Sequence, residues 1–510
     1  MTGDTLGRLF TGGPAPGHIA VASLLGTQSI PLAELVVRAE RVAQRLLAQG
    51  VRPGDRIGIL AANSLEWVLL DLAALRLKAE TAGLEPGKFE ASRALMDRYA
   101  ITLLFTDRPA DAPGIVPMAE VAAWAAPDGA AEPLPVLPPP PDWAAGDVTT
   151  VKFTSGSTGE PKGLGATAGS IDSSLLAVQE IFEHGPGDDL FVFLPLSLLQ
   201  QRYWVYSALL NGHDVTVSTY EAAFAALRRA RPTVVMGVPA FFETAKRQIE
   251  ARLRRAGGDR TLAEEAQAVF GDRIRYLWTG SAPAAPSMLG FFADAGLPIY
   301  EGYGLNETCI VTKNHPKAHR DGSVGQVLRG KHVLIDADGV VSVRSDHPVN
   351  DHYIYAKPGD SERIFGPDGT VRTGDLGYLD DDGFLFIRGR ADDVIVLDNG
   401  KKVVVRPIEE LMKADPAIAE CVLFCPGQTD LVAVVSPAAE AADLGAVAAR
   451  LAATNAAVAA DERISRVVVA DPPFSIGNGL LTSQYKPKRQ QILAAYHDAV
   501  HDPEEGIHAR

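Results

Sequence analysis

A chain of 510 residues is longer than one hydrophobic core usually organises, so at least two domains are expected. With 46% apolar and 22% charged residues it has a globular composition, and a net charge of −15 without a basic block excludes a general nucleic-acid surface. Its three cysteines, Cys309, Cys421 and Cys425, are too few for a disulfide framework and fit a reducing, cytoplasmic setting. Charge interrupts the apolar runs well short of a bilayer span, which predicts no transmembrane segment. The first residues carry Asp4 and Arg8 and no apolar signal core, so no secretory leader is expected.

In chain order, Leu32, Leu35, Val36, Ala39, Val42, Ala43, Leu46 and Leu47 recur at helical spacing, and Gly50 and Pro53 stop that helix. Apolar strands are predicted at 56–61, 101–106, 148–153, 190–194, 215–218, 233–238 and 275–278. Many are separated by helical segments, one of them at 220–230. Such alternation predicts an α/β fold of mainly parallel sheets covered by helices. The Pro/Ala-rich stretch 108–143 reads as an extended surface connection. The character changes near Arg390, beyond which short strands at 421–425, 431–435 and 465–469 precede a helix from about Lys488. The division is therefore 1–391 for a large N-terminal domain and 392–510 for a small, mobile α+β domain. Cys421 and Cys425 fall in an apolar strand and read as packing residues.

The sharpest local signal follows the 148–153 strand: Thr154, Ser155, Gly156, Ser157, Thr158 and Gly159, then Glu160-Pro-Lys162-Gly163. Glycines let the backbone turn its N–H groups toward an anion, the hydroxyls add donors, and Lys162 adds charge. This suits a polyphosphate but is not the Walker pattern. Further on come Glu301-Gly302-Tyr303-Gly304-Leu305-Asn306-Glu307-Thr308, Arg372-Thr-Gly-Asp375-Leu-Gly377, Gly389-Arg390-Ala-Asp392-Asp393, and Asn478-Gly-Leu-Leu-Thr482 running on to Lys486-Pro-Lys488-Arg489.

These five segments, in this order, resemble the signatures of the adenylate-forming superfamily, which includes acyl-CoA synthetases, peptide-synthetase adenylation domains and firefly-type luciferases. The resemblance is strongest to the long-chain acyl-CoA synthetase-like branch. It implies attack of a carboxylate on the α-phosphorus of ATP, release of pyrophosphate, and transfer of the acyl group from acyl-AMP to coenzyme A. It further implies that the 154–163 loop holds the β- and γ-phosphates and that Glu307 contacts Mg²⁺, for which a carboxylate is a suitable hard ligand. Adenine would stack on Tyr303 beside Gly280, Ser281 and Ala282, with Gly302 and Gly304 in the same element. Asp375 and Arg390 would hold the ribose. Asp392 would be the hinge about which the small domain turns. Lys486 would be the catalytic lysine in one orientation, and the segment around Gly400, Lys401 and Lys402 would face the acyl-adenylate in the other.

Two departures stand out. Asn306 replaces the usual threonine, yet its amide still donates to a phosphate oxygen. Leu198 stands where the branch commonly has histidine, with Gln200, Gln201 and Arg202 beyond it, in a region expected to line the acyl pocket or gate the thiol. Tyr203, Trp204 and Tyr206 fit either pocket or core. Substrates are thus expected to be ATP with Mg²⁺, a small carboxylic acid and CoA. Transfer to a carrier-protein thiol on a separate protein or to an amine, and adenylation of another oxyanion such as nitrite, remain as alternatives.

Overall fold

The computed structural model describes residues 5–12, 15–127, 134–154, 161–482 and 485–509. Two large sheets form the N-terminal lobe. In the six-stranded sheet, Ile115–Pro117, Leu103–Thr106, Arg56–Leu60, Glu80–Gly83 and Val148–Thr154 run parallel, and Lys162–Thr167 closes the edge antiparallel. The nine-stranded sheet has a parallel centre made of Ile299–Leu305, Tyr276–Thr279, Val234–Gly237, Asp189–Val192, Asp214–Ser218 and His18–Ala22. Antiparallel pairs finish both of its edges. The central strands are β-branched and aromatic runs buried on both faces, as parallel sheets under helices require. The expected α/β architecture is therefore present.

The helix Leu32–Ala48 buries Leu32, Leu35, Ala39, Val42, Ala43 and Leu46, the stripe its spacing announces. The stretch 108–143 departs from its reading as an extended connection. It contains the strand Ile115–Pro117 and the helix Met118–Ala125, which buries Met118, Val121 and Ala125. Proline and alanine mask a short apolar stripe there, and packing against the core stabilises what local propensity leaves open. The predicted helix at 220–230 begins later, at Ala223.

Residues from Val394 onward build a smaller lobe. The strand pair Val394–Val396 and Lys402–Val404 leads into a four-stranded sheet ordered Ile418–Phe424, Leu431–Pro437, Ile464–Val469 and Ile507–His508. The helices Val405–Lys413 and Leu444–Ala457 pack on that sheet around their own apolar cluster, and neither was read from the sequence. Cys421 is buried in this sheet. Among the described residues, no helix is long and apolar enough to cross a membrane.

Candidate active site

In open α/β sheets ligands bind beyond the carboxyl ends of the strands, and here those ends converge on one cleft. Gly280 and Ser281 follow the strand Tyr276–Thr279, and Gly302, Tyr303 and Gly304 lie in the strand Ile299–Leu305. All five border one cavity of about 780 Å³, its open mouth included. Ala282 falls just outside that lining. Ser281 holds a left-handed backbone, φ +68°, and so does Cys309, φ +54°, which starts the return strand of the hairpin. Such conformations in non-glycine residues persist only where surrounding structure enforces them. Gly304 is required by close approach, because a Cβ there would lie 2.0 Å from the Cys309 carbonyl oxygen.

Tyr303 donates its hydroxyl to Asp375 Oδ2 at 2.5 Å. Burial, then the charge of Asp375, raises the phenol pKa. Arg390 Nη1 approaches the other Asp375 oxygen at 3.1 Å and donates to the Thr373 carbonyl at 2.8 Å. Its Nε reaches Asp392 at 3.1 Å across the 3₁₀ turn Ala391–Asp393, so the predicted ribose and hinge residues adjoin.

Lys486 belongs to the small lobe but comes to the same place. Leu481 and Pro487 form an isolated bridge, and Lys486 N–H donates to Thr482 Oγ1 at 3.0 Å. Directly before it, Tyr485 adopts φ +59° and stacks on Tyr220 of the large lobe, with ring centres 6.4 Å apart. Lys486 is open to solvent on its outer side, yet its inner side is crowded enough by protein to lower its pKa. Asp375 opposes that shift, and Arg390 and Arg406 add to it. Lys401 and Lys402 face elsewhere: Lys401 pairs with Asp461, and Lys402 reaches Asp338 at 3.3 Å.

The turn of the hairpin carries Asn306 and Glu307. Tyr353 donates to Glu307 Oε1 at 2.6 Å. Lys162 lies 5.3 Å over the Tyr353 ring and pairs with Asp360 at 3.0 Å, which holds that carboxyl below its usual range. The segment with Tyr353 is docked by two backbone bonds of 2.8 Å between Gly163 and Ile354. A Cβ on Gly163 would meet Ile354 at 2.7 Å, which explains the glycine. Behind the turn, the buried Lys152 donates to the Asn306 carbonyl at 2.5 Å, and the buried Lys331 donates to that of Thr308 at 2.8 Å. Tyr353, Asp360, Lys152 and Lys331 were missed by the sequence reading. Only the lysine before the loop, at an otherwise apolar strand position, could have drawn attention. Ser155, Gly156, Ser157, Thr158 and Gly159 lie outside the described residues, as does the Thr154 side chain.

The helix Leu199–Asn211 walls the inner end of the cavity with Gln200, Gln201, Tyr203 and Trp204. Leu198 is its N-cap residue and does not line the space. Arg202 and Tyr206 turn the other way into the core. Arg202 pairs with Asp71 at 2.9 Å and donates to Thr81 and Thr150, while the Tyr206 hydroxyl reaches Asp71 at 2.5 Å. The helix is thereby clamped to the six-stranded sheet by a fully bonded buried ion pair.

The AMP-binding enzyme family profile matches residues 13–347, and the profile of the AMP-binding enzyme C-terminal domain matches 392–503. The chain belongs to the AMP-binding enzyme family and is an adenylate-forming ligase of the acyl-CoA synthetase kind. It is 27% identical to a long-chain-fatty-acid–CoA ligase of Mycobacterium bovis, covering 92% of this chain and 91% of that one. It is also 27% identical to a 2-succinylbenzoate–CoA ligase of Bacillus cereus, over 77% of this chain and 80% of the relative. Among solved structures, o-succinylbenzoate CoA synthetase of Bacillus subtilis, in complex with its acyl-adenylate intermediate, superposes with a TM-score of 0.77. That likeness covers 99% of both chains at 20% identity.

Proposed function

We propose that the chain activates a carboxylic acid as acyl-AMP and passes the acyl group to coenzyme A, with Lys486 acting in the first half-reaction. The observation that carries this reading is the Asp375 carboxylate, held between Arg390 and the hydroxyl of Tyr303, which borders the cavity. Joining a carboxylate to a polyphosphate brings two anions together, so a cation that reaches the reacting oxygens lowers the barrier. Tyr303 offers adenine a flat face, and its hydroxyl orients Asp375 toward the ribose hydroxyls. The cavity beyond Gly280 and Gly304 takes the acyl group.

The residues fit Mg²⁺. Glu307 has no ion pair with a lysine or arginine among the described residues, and Tyr353 fixes one of its oxygens, leaving carboxylate capacity free. When bound, the ion would neutralise phosphate charge. The protein's own part is to hold Glu307 in place through Tyr353 and through Lys152 and Lys331 on the flanking carbonyls. Asp392, in its 3₁₀ turn, is the hinge of a small domain spanning 392–510; turning there would withdraw Lys486 and bring Lys401 and Lys402 round to the acyl-adenylate. The test is acid-dependent ATP–pyrophosphate exchange over an acid panel, followed by product mass with and without CoA. An acyl-CoA product with AMP and pyrophosphate is expected; ADP and phosphate would overturn the mechanism, and an acyl product formed only with a carrier protein or an amine would replace the acceptor.

A further inference from the structure

We infer that Tyr485 is a positioning residue, whose ring docks on Tyr220 and so holds the Lys486 turn against the large lobe in the orientation that adenylates. This rests on the adenylating reading above and adds to it what seats the lysine. The turn is well bonded within itself. Thr482 N–H donates to the Lys486 carbonyl at 2.8 Å, Tyr485 N–H to the Thr482 carbonyl at 2.8 Å, and Lys488 N–H to the Leu480 carbonyl at 2.9 Å. Those bonds tie Lys486 to its own lobe and do nothing to tie the turn to the other. The Tyr485 ring does: it meets the Tyr220 ring at an interplanar angle of 29°. Among the described residues this is the one ring pair that joins the two lobes.

Tyr220 is a fixed platform. It follows the strand Asp214–Ser218 at its carboxyl end, and its ring packs on Phe193 at 5.8 Å and Phe241 at 6.3 Å, both buried in the core. Aromatic pairs attract out to centre distances of about 7 Å. On the other side, Tyr485 holds φ +59°, a conformation that a residue with a Cβ keeps only where its surroundings enforce it. Lys486 is the next residue, and consecutive Cα atoms stand about 3.8 Å apart, so a seated Tyr485 sets where the lysine starts. The second contact between the lobes, Lys402 with Asp338, is 68% and 75% exposed and is too well solvated to fix an orientation. Because the stacked rings belong to different lobes, turning the small domain about Asp392 separates them. The stack therefore exists in one orientation only, and a contact made in one state alone shifts the population toward that state.

The test measures the two half-reactions separately: ATP–pyrophosphate exchange with an accepted acid, and thioester formation from prepared acyl-AMP. Tyr485→Gly removes the ring and keeps a backbone free to adopt φ +59°. It should slow exchange about three- to tenfold, the range one aromatic pair supports, through kcat with the KM for ATP unchanged. Thioester formation should not slow, because the rings are apart in that orientation. Tyr220→Ala should act alike, its unslowed second half-reaction showing that it folds. The double variant should be no slower than the slower single one, since the same contact is lost only once. Tyr485→Phe and Tyr220→Phe keep the stacking faces and should exchange like wild type. Wild-type exchange in Tyr485→Gly, losses that multiply in the double variant, equal losses in both half-reactions, or a phenylalanine variant as slow as Tyr485→Gly would each overturn the inference while leaving adenylation intact. Absence of exchange by wild type with any acid overturns the adenylating reading itself.

Discussion

On the side of the cleft proposed for the nucleotide, Asp375 is held by Tyr303 and Arg390, Glu307 by Tyr353, and Lys162 by Asp360. On the side proposed for the acyl group, the described wall residues include no lysine, arginine, aspartate or glutamate. The difference follows from what each side must bind. A common nucleotide with several charges is best met by dipoles and ions already fixed in place, since reorganising them at the moment of reaction would raise the barrier. An uncharged acyl group needs no such ions, and a charged side chain on that wall would be buried without a partner.

The largest effect should come from undoing the anchor behind the acyl wall. Arg202→Met leaves Asp71 buried without its cation, an event that typically costs ~3–5 kcal/mol. Denaturant or thermal unfolding would show it, and unchanged stability would mean that the pair does not hold the helix Leu199–Asn211 in place. On the nucleotide side, Lys486→Ala should slow adenylation by about 10²–10³, equivalent to ~2.7–4 kcal/mol by analogy with losing one transition-state donor. Thioester formation from prepared acyl-AMP should stay near wild type, and Lys488→Ala should do much less to either half. Equal losses in both halves would contradict a lysine that serves only the first.

Tyr353→Phe probes whether Glu307 needs its fixed partner. Removing the group that orients a metal-ligating residue typically costs about 10–100-fold in metal affinity, so the Mg²⁺ needed for half-maximal exchange should rise by that order. An unaltered Mg²⁺ curve would detach Glu307 from the metal. The smallest effect concerns Glu301, whose carboxyl burial raises from 4.5 to about 7, against the opposing influence of Lys313. The folded chain keeps that proton where the unfolded chain has lost it. The resulting stability is full below the unfolded pKa and is lost as pH rises through about 7. Glu301→Gln mimics the protonated form, so the variant should match wild type near pH 4 and melt roughly 2–4 °C higher above pH 7. A constant difference across that range would mean that Glu301 does not titrate there.

The elements around the cleft were legible wherever chemistry is local in the chain. Buried parallel strands must be short apolar runs, so those at 56–60, 148–154 and 276–279 announced themselves. Gly302 and Gly304 were named only through the motif they share with Tyr303, and the close approach that requires glycine at 304 became visible only in the structure. Asp375, Arg390 and Lys486 lie far apart in sequence and could be named only through the motifs around them. The sharing of Asp375 between Tyr303 and Arg390 depends on how their strands come together in space. The helix Met118–Ala125 was hidden for a related reason: an alanine-rich segment has no strong stripe of its own and acquires its conformation from the surface it covers. Tyr353 and Asp360 sit in an irregular segment without periodicity, and only its docking against Gly163 makes them neighbours of Glu307 and Lys162. By itself, then, the sequence determined the kinds of groups present and the strands that bear them. Tertiary structure decided which of Gln201, Arg202, Trp204 and Tyr206 face the cavity and which face the core, because on a helix buried all round composition is alike on every side and only the neighbours distinguish them.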